Sequence, residues 1–141
     1  MADLVGKTLL KRYQVIEFIG RGGMAEVYKA WDQNRLIHLA LKRLHNDLAQ
    51  DKIFLRRFLH EAQTLAKLQH PNIVRFYGIE SDNLMVFMLM DFIDGNTLKA
   101  EIFKAKEKFL KQNFIVHVIQ SVCPSLHYAH QQGLVHCDLK P

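Results

Sequence analysis

The sequence predicts an α+β chain in which antiparallel strands come first and helices last. Three observations carry that expectation. Period-two apolar patterning fills the stretch from Tyr13 to Leu44. Apolar residues recur at helical spacing from Asp51 to Leu68, and again from Phe109 to His130. Between those helical stretches lie two short apolar runs of strand length. With 141 residues, 49% of them hydrophobic, the chain has room for one ordinary domain and enough apolar surface for a core.

The elements follow in order. YQVIEFIG (Tyr13 to Gly20) alternates and reads as a strand, and AEVYKAWD (Ala25 to Asp32) returns at hairpin distance across RGGMA. Polar residues from Asp32 to Arg35 make a turn into LIHLALKRL (Leu36 to Leu44), a third strand of a meander. Phe54, Phe58, Leu65 and Leu68 form one helical stripe, closed by Pro71. NIVRFYGI and NLMVFMLMDFI read as two more strands separated by SDN, which makes five in all. DGNTL (Asp94 to Leu98) is a turn and a capped helix start, and Gly133 stands where a helix C-terminal glycine would.

Charge and cysteine usage exclude several classes. The formal net charge of +5 raises nucleic acid as a partner, but the densest basic stretch, Lys99 to Lys111, interleaves Glu101 and Glu107 as a solvated helix face does. No run is long enough to span a bilayer, the longest being Leu84 to Met90, and the start lacks a signal-peptide pattern. Cys123 and Cys137 have no CxxC spacing, which fits a reducing, cytoplasmic setting and argues against a structural zinc. His127 and His130 are too few for a metal site, and Met85, Met88 and Met90 fit strand core.

The chemistry gathers at four places. GRGGMAEV (Gly20 to Val27) is a glycine-rich turn between strands, able to bring backbone amides against phosphate oxygens or to serve as a plain flexible hairpin. No helix follows the glycines, so the dinucleotide fingerprint is excluded, and the Gly-Lys-Ser/Thr of a P-loop is absent. Lys42 sits in an apolar strand on the same face as Ala40, so it must reach solvent or find an anion. Glu61 is the third: Phe54, Phe58, Leu65 and Leu68 all lie within about 60° of it around the helix. A carboxylate there needs a cationic partner, and Lys42 has the matching need. The fourth is GLVHCDLKP, Gly133 to Pro141, which places Asp138 between His136 and Lys140.

In this order and spacing, GRGGMAEV, LALK, Glu61, QHPNIV (Gln69 to Val74), MDFIDG (Met90 to Gly95) and HCDLKP resemble the protein kinase family across residues 13–141. DLKP resembles the Ser/Thr branch, and GGMAEVYKA its bacterial eukaryote-like members. The resemblance implies a kinase N-lobe of five antiparallel strands and one helix, followed by the first helices of a helical C-lobe. It divides the chain into an N-terminal extension (1–12), N-lobe and hinge (13–93) and the start of the C-lobe (94–141).

The resemblance also assigns roles. Gly20 and Gly22 would lie over the ATP phosphates, with Ala25 in place of the third glycine. Ile19, Val27 and Ala40 would roof the adenine. Lys42 would bind the α- and β-phosphates and pair with Glu61. Met90 would be the gatekeeper, and the backbone of Asp91 and Ile93 would read the adenine edge. Asp138 would accept the substrate hydroxyl proton, Lys140 would neutralise the transferring phosphoryl group, and His136 would support the loop by packing. Cys137 stands where most of the family carries the arginine that meets a phosphorylated activation loop.

The implied activity is transfer of the ATP γ-phosphoryl group to Ser or Thr of a protein substrate, with Mg²⁺. The magnesium ligands, an Asn and an Asp-Phe-Gly, are implied beyond Pro141, since a whole kinase fold takes roughly 250 residues. The chain is therefore expected to stop inside its catalytic loop, to be inactive alone, and to self-associate through uncovered C-lobe surface. A non-catalytic kinase-like module that regulates a partner through the Glu61 helix is the alternative.

Overall fold

The computed structural model describes residues 4–83, 85–105 and 109–141. Leu84 of the long apolar run and Glu107 of the basic stretch therefore lie outside the described residues. The chain forms two units, Met1–Lys67 with Val74–Ile93, and Leu68–Ile73 with Asp94–Pro141.

The first unit is built on strands β1 (Thr8–Leu9), β2 (Tyr13–Arg21), β3 (Ala25–Asp32), β4 (Ile37–Leu44), β5 (Phe76–Asp82) and β6 (Met85–Asp91). They form one six-stranded antiparallel sheet in the order β1-β2-β3-β4-β6-β5. The sequence predicts only five of these. The sixth, β1, pairs Thr8 with Gln14 and Leu9 with Tyr13. Two residues are too few to show an alternation, so packing alone reveals it: Leu4 and Leu9 are buried in one core with Tyr13, Val15, Tyr28 and Leu39.

Alternation decides which side chain faces which core. Tyr28, Ala30, Leu39, Leu41, Phe87 and Leu89 are buried together on one face of β3, β4 and β6. Ala25, Leu44 and Met88 join the second core with Phe58 and Ala62 of helix α2 (Lys52–Ala66), which follows a short helix α1 (Asn46–Ala49). Burying a side chain such as Phe58 contributes roughly 1.5–3 kcal/mol, so a few contacts seat α2 firmly.

Two expectations need correction. Strand β2 does not alternate through Gly20: its register against β3 shifts between Val15 and Glu17 and again between Phe18 and Gly20. Each bulge inserts one residue, and Ile16 and Ile19 are exposed as a result. The helix also ends at Ala66 rather than Leu68, and its buried side is centred on Phe58 and Ala62 with Leu55 and Leu65 beside them. Its start is as expected for a capped helix, with Asp51 accepting from the Ile53 amide at 2.8 Å.

The second unit holds α3 (Leu98–Ala105) and α4 (Gln112–Gln131). Thr97 caps α3 by accepting from the Ala100 amide at 3.2 Å. Helix α4 closes on Gly133, whose φ of +73° is the left-handed conformation that glycine adopts without a Cβ clash. Gly133 N–H donates to the His130 carbonyl at 2.9 Å and Leu134 N–H to the Ala129 carbonyl at 3.0 Å, which satisfies two orphan carbonyls. The QHPNIV segment hangs on α4: the Gln69 amide donates to Tyr128 Oη, and Asn72 Nδ2 donates to the Ser121 carbonyl.

Candidate active site

The first unit sets several side chains on a single sheet face. In β3, Val27 sits opposite Lys42; in β4, Ala40 sits opposite Met90 of β6 and Lys42 opposite Met88. Leu39 and Leu41, the intervening residues, are buried on the reverse face. Val27, Ala40, Lys42 and Met90 therefore share the α2 face, and all four are only half-buried. Met90 also packs against the core under α2. Gly20 pairs with Val27, so the glycine-rich turn begins at the edge of the same face.

Lys42 is a cation in an otherwise apolar strand, and α2 supplies its counter-charge. Lys42 Nζ donates to Glu61 Oε1 at 2.6 Å, with the two side chains 23% and 35% exposed. That partial exposure is the useful part: the pair is shielded enough from water to persist, and open enough for the ammonium to meet a second anion.

The glycine-rich turn carries its own geometry. Gly22 N–H donates to the Ala25 carbonyl at 2.8 Å and closes the hairpin. A Cβ added at Gly20 or Gly23 would meet nothing, and one at Gly22 would lie 3.5 Å from the Ala25 carbonyl, an ordinary contact. The chain's own packing thus does not require glycine there, which fits a turn kept bare for something that approaches it. Ile19, the inserted residue of the second bulge, is 48% exposed beside it.

At the other end of the face, Asp91 is tied into the sheet. Its carboxylate accepts from Tyr77 Oη at 2.8 Å and from the Arg75 amide at 3.0 Å, while its own amide donates to the Arg75 carbonyl. Burial, together with the bond to Asp91, raises the Tyr77 phenol above its ordinary pKa. Lys29 Nζ stands 4.4 Å from the Phe92 ring centroid, which steadies the following segment. Ile93 is exposed at the end of that segment.

In the second unit, Asp138 and Lys140 form a pair of their own, Nζ to Oδ2 2.7 Å, and both are exposed. The Lys140 ammonium holds the Asp138 carboxyl below its ordinary pKa, so it is a carboxylate at neutral pH, ready to accept a hydrogen bond. The Asp138 amide donates to the His136 carbonyl at 2.8 Å, so His136 contacts the loop backbone. Cys137 between them is left-handed, φ +57°, a conformation that costs a non-glycine residue about 1–2 kcal/mol. The sequence gives no sign of this strain. Among the described residues no group of three or more His, Cys, Asp or Glu could hold a metal ion. His127 is engaged by Gln131 at 3.0 Å.

Two buried clusters escape any sequence motif. Asp32 is fully buried and accepts from Arg12, Arg35 and two backbone amides. Buried Glu26 lies among Tyr28, Arg43 and His45, accepting from Tyr28 Oη at 2.8 Å. A charged residue in a strand reads as a solvated one unless the opposing strand is known, so neither could be picked out from spacing.

A half-buried lysine paired to a helix carboxylate, on one sheet face with a glycine-rich turn, is the arrangement expected of a protein-kinase N-lobe, and similarity to known proteins agrees on the fold and family. Residues 13–141 match the protein kinase domain family, and the chain belongs to it. It is 37% identical over 138 residues to the serine/threonine-protein kinase PrkC of Bacillus subtilis, covering 98% of this chain and 21% of that protein. It is 36% identical over 141 residues to the serine/threonine-protein kinase PknD of Chlamydia pneumoniae, covering 94% of this chain and 15% of that one. The PknI kinase domain of Mycobacterium tuberculosis superposes with a TM-score of 0.76 at 30% identity, over 96% of this chain and 54% of that one. The chain thus spans about a fifth or less of these curated relatives and about half of the solved kinase domain. Among the described residues no helix is long and apolar enough to cross a membrane.

Proposed function

We propose that these residues are the ATP-binding half of a serine/threonine protein kinase that transfers the ATP γ-phosphoryl group to Ser or Thr of protein substrates. The observation that carries this reading is the Lys42–Glu61 pair, 2.6 Å long and part-exposed, on the face that bears Val27, Ala40 and Met90. ATP fits the residues present. Gly20 and Gly22 put no side chain between the backbone of the turn and phosphate oxygens, and Lys42, aimed by Glu61, offers its ammonium to the α- and β-phosphates. Val27, Ala40 and Ile19 offer apolar surface to the adenine. The backbone of Asp91 and Ile93, fixed from behind by Tyr77 and Arg75, offers donors and acceptors to its edge, with Met90 beside it.

Asp138, held as a carboxylate by Lys140, is the group we assign to accept the substrate hydroxyl proton, and Lys140 neutralises charge on the transferring group. ATP, when bound with Mg²⁺, supplies the transferable phosphoryl group. We take the magnesium-holding Asn and Asp-Phe-Gly of the family's pattern to have no counterpart within these 141 residues, which on this reading bind nucleotide without phosphorylating protein. Free, exposed Cys123 and Cys137 fit a reducing cytoplasm.

Calorimetric titration with ATP and with adenosine tests the reading. Lys42→Met should weaken ATP at least tenfold while adenosine binding stays within twofold. No measurable ATP binding by the unsubstituted chain, or an equal loss for both ligands, refutes it.

A further inference from the structure

The glycine-rich turn is held from the reverse side of the sheet by a histidine that no motif marks. His45, just past β4, is 7% exposed. Its backbone amide donates to the Met24 carbonyl at 3.0 Å, and its Nε2 lies 3.1 Å from the Gly22 carbonyl oxygen. A carbonyl only accepts, so Nε2 must carry the proton and donate. The other ring nitrogen, Nδ1, faces Glu26 Oε1 at 3.9 Å, beyond hydrogen-bond distance. Glu26 is itself fixed by Tyr28 Oη and flanked by Arg43 and Arg21. The imidazole is thus wedged between a packed carboxylate and the tip of the turn.

The placement separates this contact from ligand binding. Tyr28 and Leu41, the strand neighbours of Glu26 and Arg43, are buried on the face opposite Lys42. His45 therefore reaches the turn from behind. His45 ties the tip to the end of β4 with two hydrogen bonds, one to Met24 and one to Gly22, beside the Ala25–Leu44 strand pairing and the packing of Met24 on the core that holds Leu44. Apart from the Gly22 N–H bond to the Ala25 carbonyl, bare glycines at Gly22 and Gly23 leave the turn's backbone more freedom than other residues would, and ordering it on each binding event costs backbone entropy.

We propose that His45 is a positioning residue that clasps the Gly22 carbonyl and so holds the turn in place for the phosphate end of the ligand. The proposal rests on the ATP reading above for the ligand, but not for the clasp itself. It touches no reacting atom; it acts through the loop.

The test compares two amides that differ only in reach. His45→Gln can place its amide nitrogen near the Nε2 position, whereas His45→Asn is one methylene short. Amide hydrogen exchange at Gly22, Gly23 and Met24 should speed up about tenfold in His45→Asn and stay within twofold in His45→Gln, with the exchange of Leu39 and Leu41 unmoved in both. In the same pair, ATP affinity should fall about three- to tenfold for His45→Asn and be retained by His45→Gln, while adenosine affinity is unchanged in both. Equal behaviour of the two variants, whether both normal or both impaired, overturns the clasp. Faster exchange with an unchanged ATP-to-adenosine ratio overturns its role toward the phosphates. Absence of ATP binding in the unsubstituted chain overturns the ATP reading and with it that role, and the exchange comparison still decides the clasp. Should His45→Asn fail to fold, loss of turn protection or of ATP affinity in folded His45→Gln overturns the proposal.

Discussion

Replacing Asp32 with asparagine puts a buried carboxylate to a quantitative test. Asp32 ends β3 with no exposed surface, and its two oxygens accept five hydrogen bonds: two from Arg12, one from the Arg35 side chain, and one each from the Asn34 and Arg35 amides. The Arg12 guanidinium, aided by Arg35, holds the carboxyl well below the usual carboxylate range despite burial. Asp32→Asn keeps the shape, but it turns one acceptor into a donor that faces two guanidinium groups. Breaking a buried pair from one side costs about 3–5 kcal/mol. Arg12 remains 25% exposed and can regain water, so the low end applies, about 3 kcal/mol. At roughly 3–4 °C per kcal/mol for a chain of this length, Tm should fall by about 10 °C.

The pH dependence follows from the same depressed pKa. A carboxyl more acidic in the folded than in the unfolded chain stabilises the fold above its unfolded pKa, about 3.9. That contribution fades as pH drops further, through the folded value. Urea unfolding of both proteins should therefore show a constant difference from neutral pH down to about 5, shrinking progressively below about 4. A difference under about 1 kcal/mol at pH 7, or one that grows in acid, would refute the reasoning.

Three further outcomes are expected. Glu61→Gln leaves Lys42 with a neutral acceptor and a less fixed ammonium; ATP affinity should fall about fivefold with melting nearly unchanged, because an exposed-side pair contributes only about 1 kcal/mol or less. A drop in Tm with ATP affinity intact, measured by titration and calorimetry, would contradict that. The 141-residue chain should transfer no label from ATP to a basic protein substrate; transfer that Asp138→Asn abolishes would show the opposite. Helix α4 exposes Ile115, Val116 and Ile119 beside half-buried Phe114, Val118, Val122 and Leu126, so the chain should self-associate. Ile115→Glu with Ile119→Glu should reduce that in sedimentation velocity, and a monodisperse unsubstituted monomer would count against it.

Local patterning in the sequence determined the meander of β2 to β4, the α2 and α4 helices, and the pairing of Lys42 with Glu61. These are local facts, or consequences of one. Alternation places Lys42 among apolar neighbours, helical spacing places Glu61 beside Phe58, and two ill-placed opposite charges then need each other. The glycine turn was legible for a similar reason, since few other roles explain so many bare residues between two strands. The tertiary structure alone decided the two bulges in β2, because a bulge exists only relative to the opposing strand; without it, Ile19 would be assigned to the wrong position. It alone supplied β1, too short for any period, and moved the centre of the α2 stripe to Phe58 and Ala62, where Ala25, Leu44 and Met88 receive it. It also decided which charges are buried. Asp32, Glu26 and His45 look in the sequence like any polar residues near turns, and only the folding of distant strands over them removes water and turns them into the fixed points of the sheet and of its glycine turn.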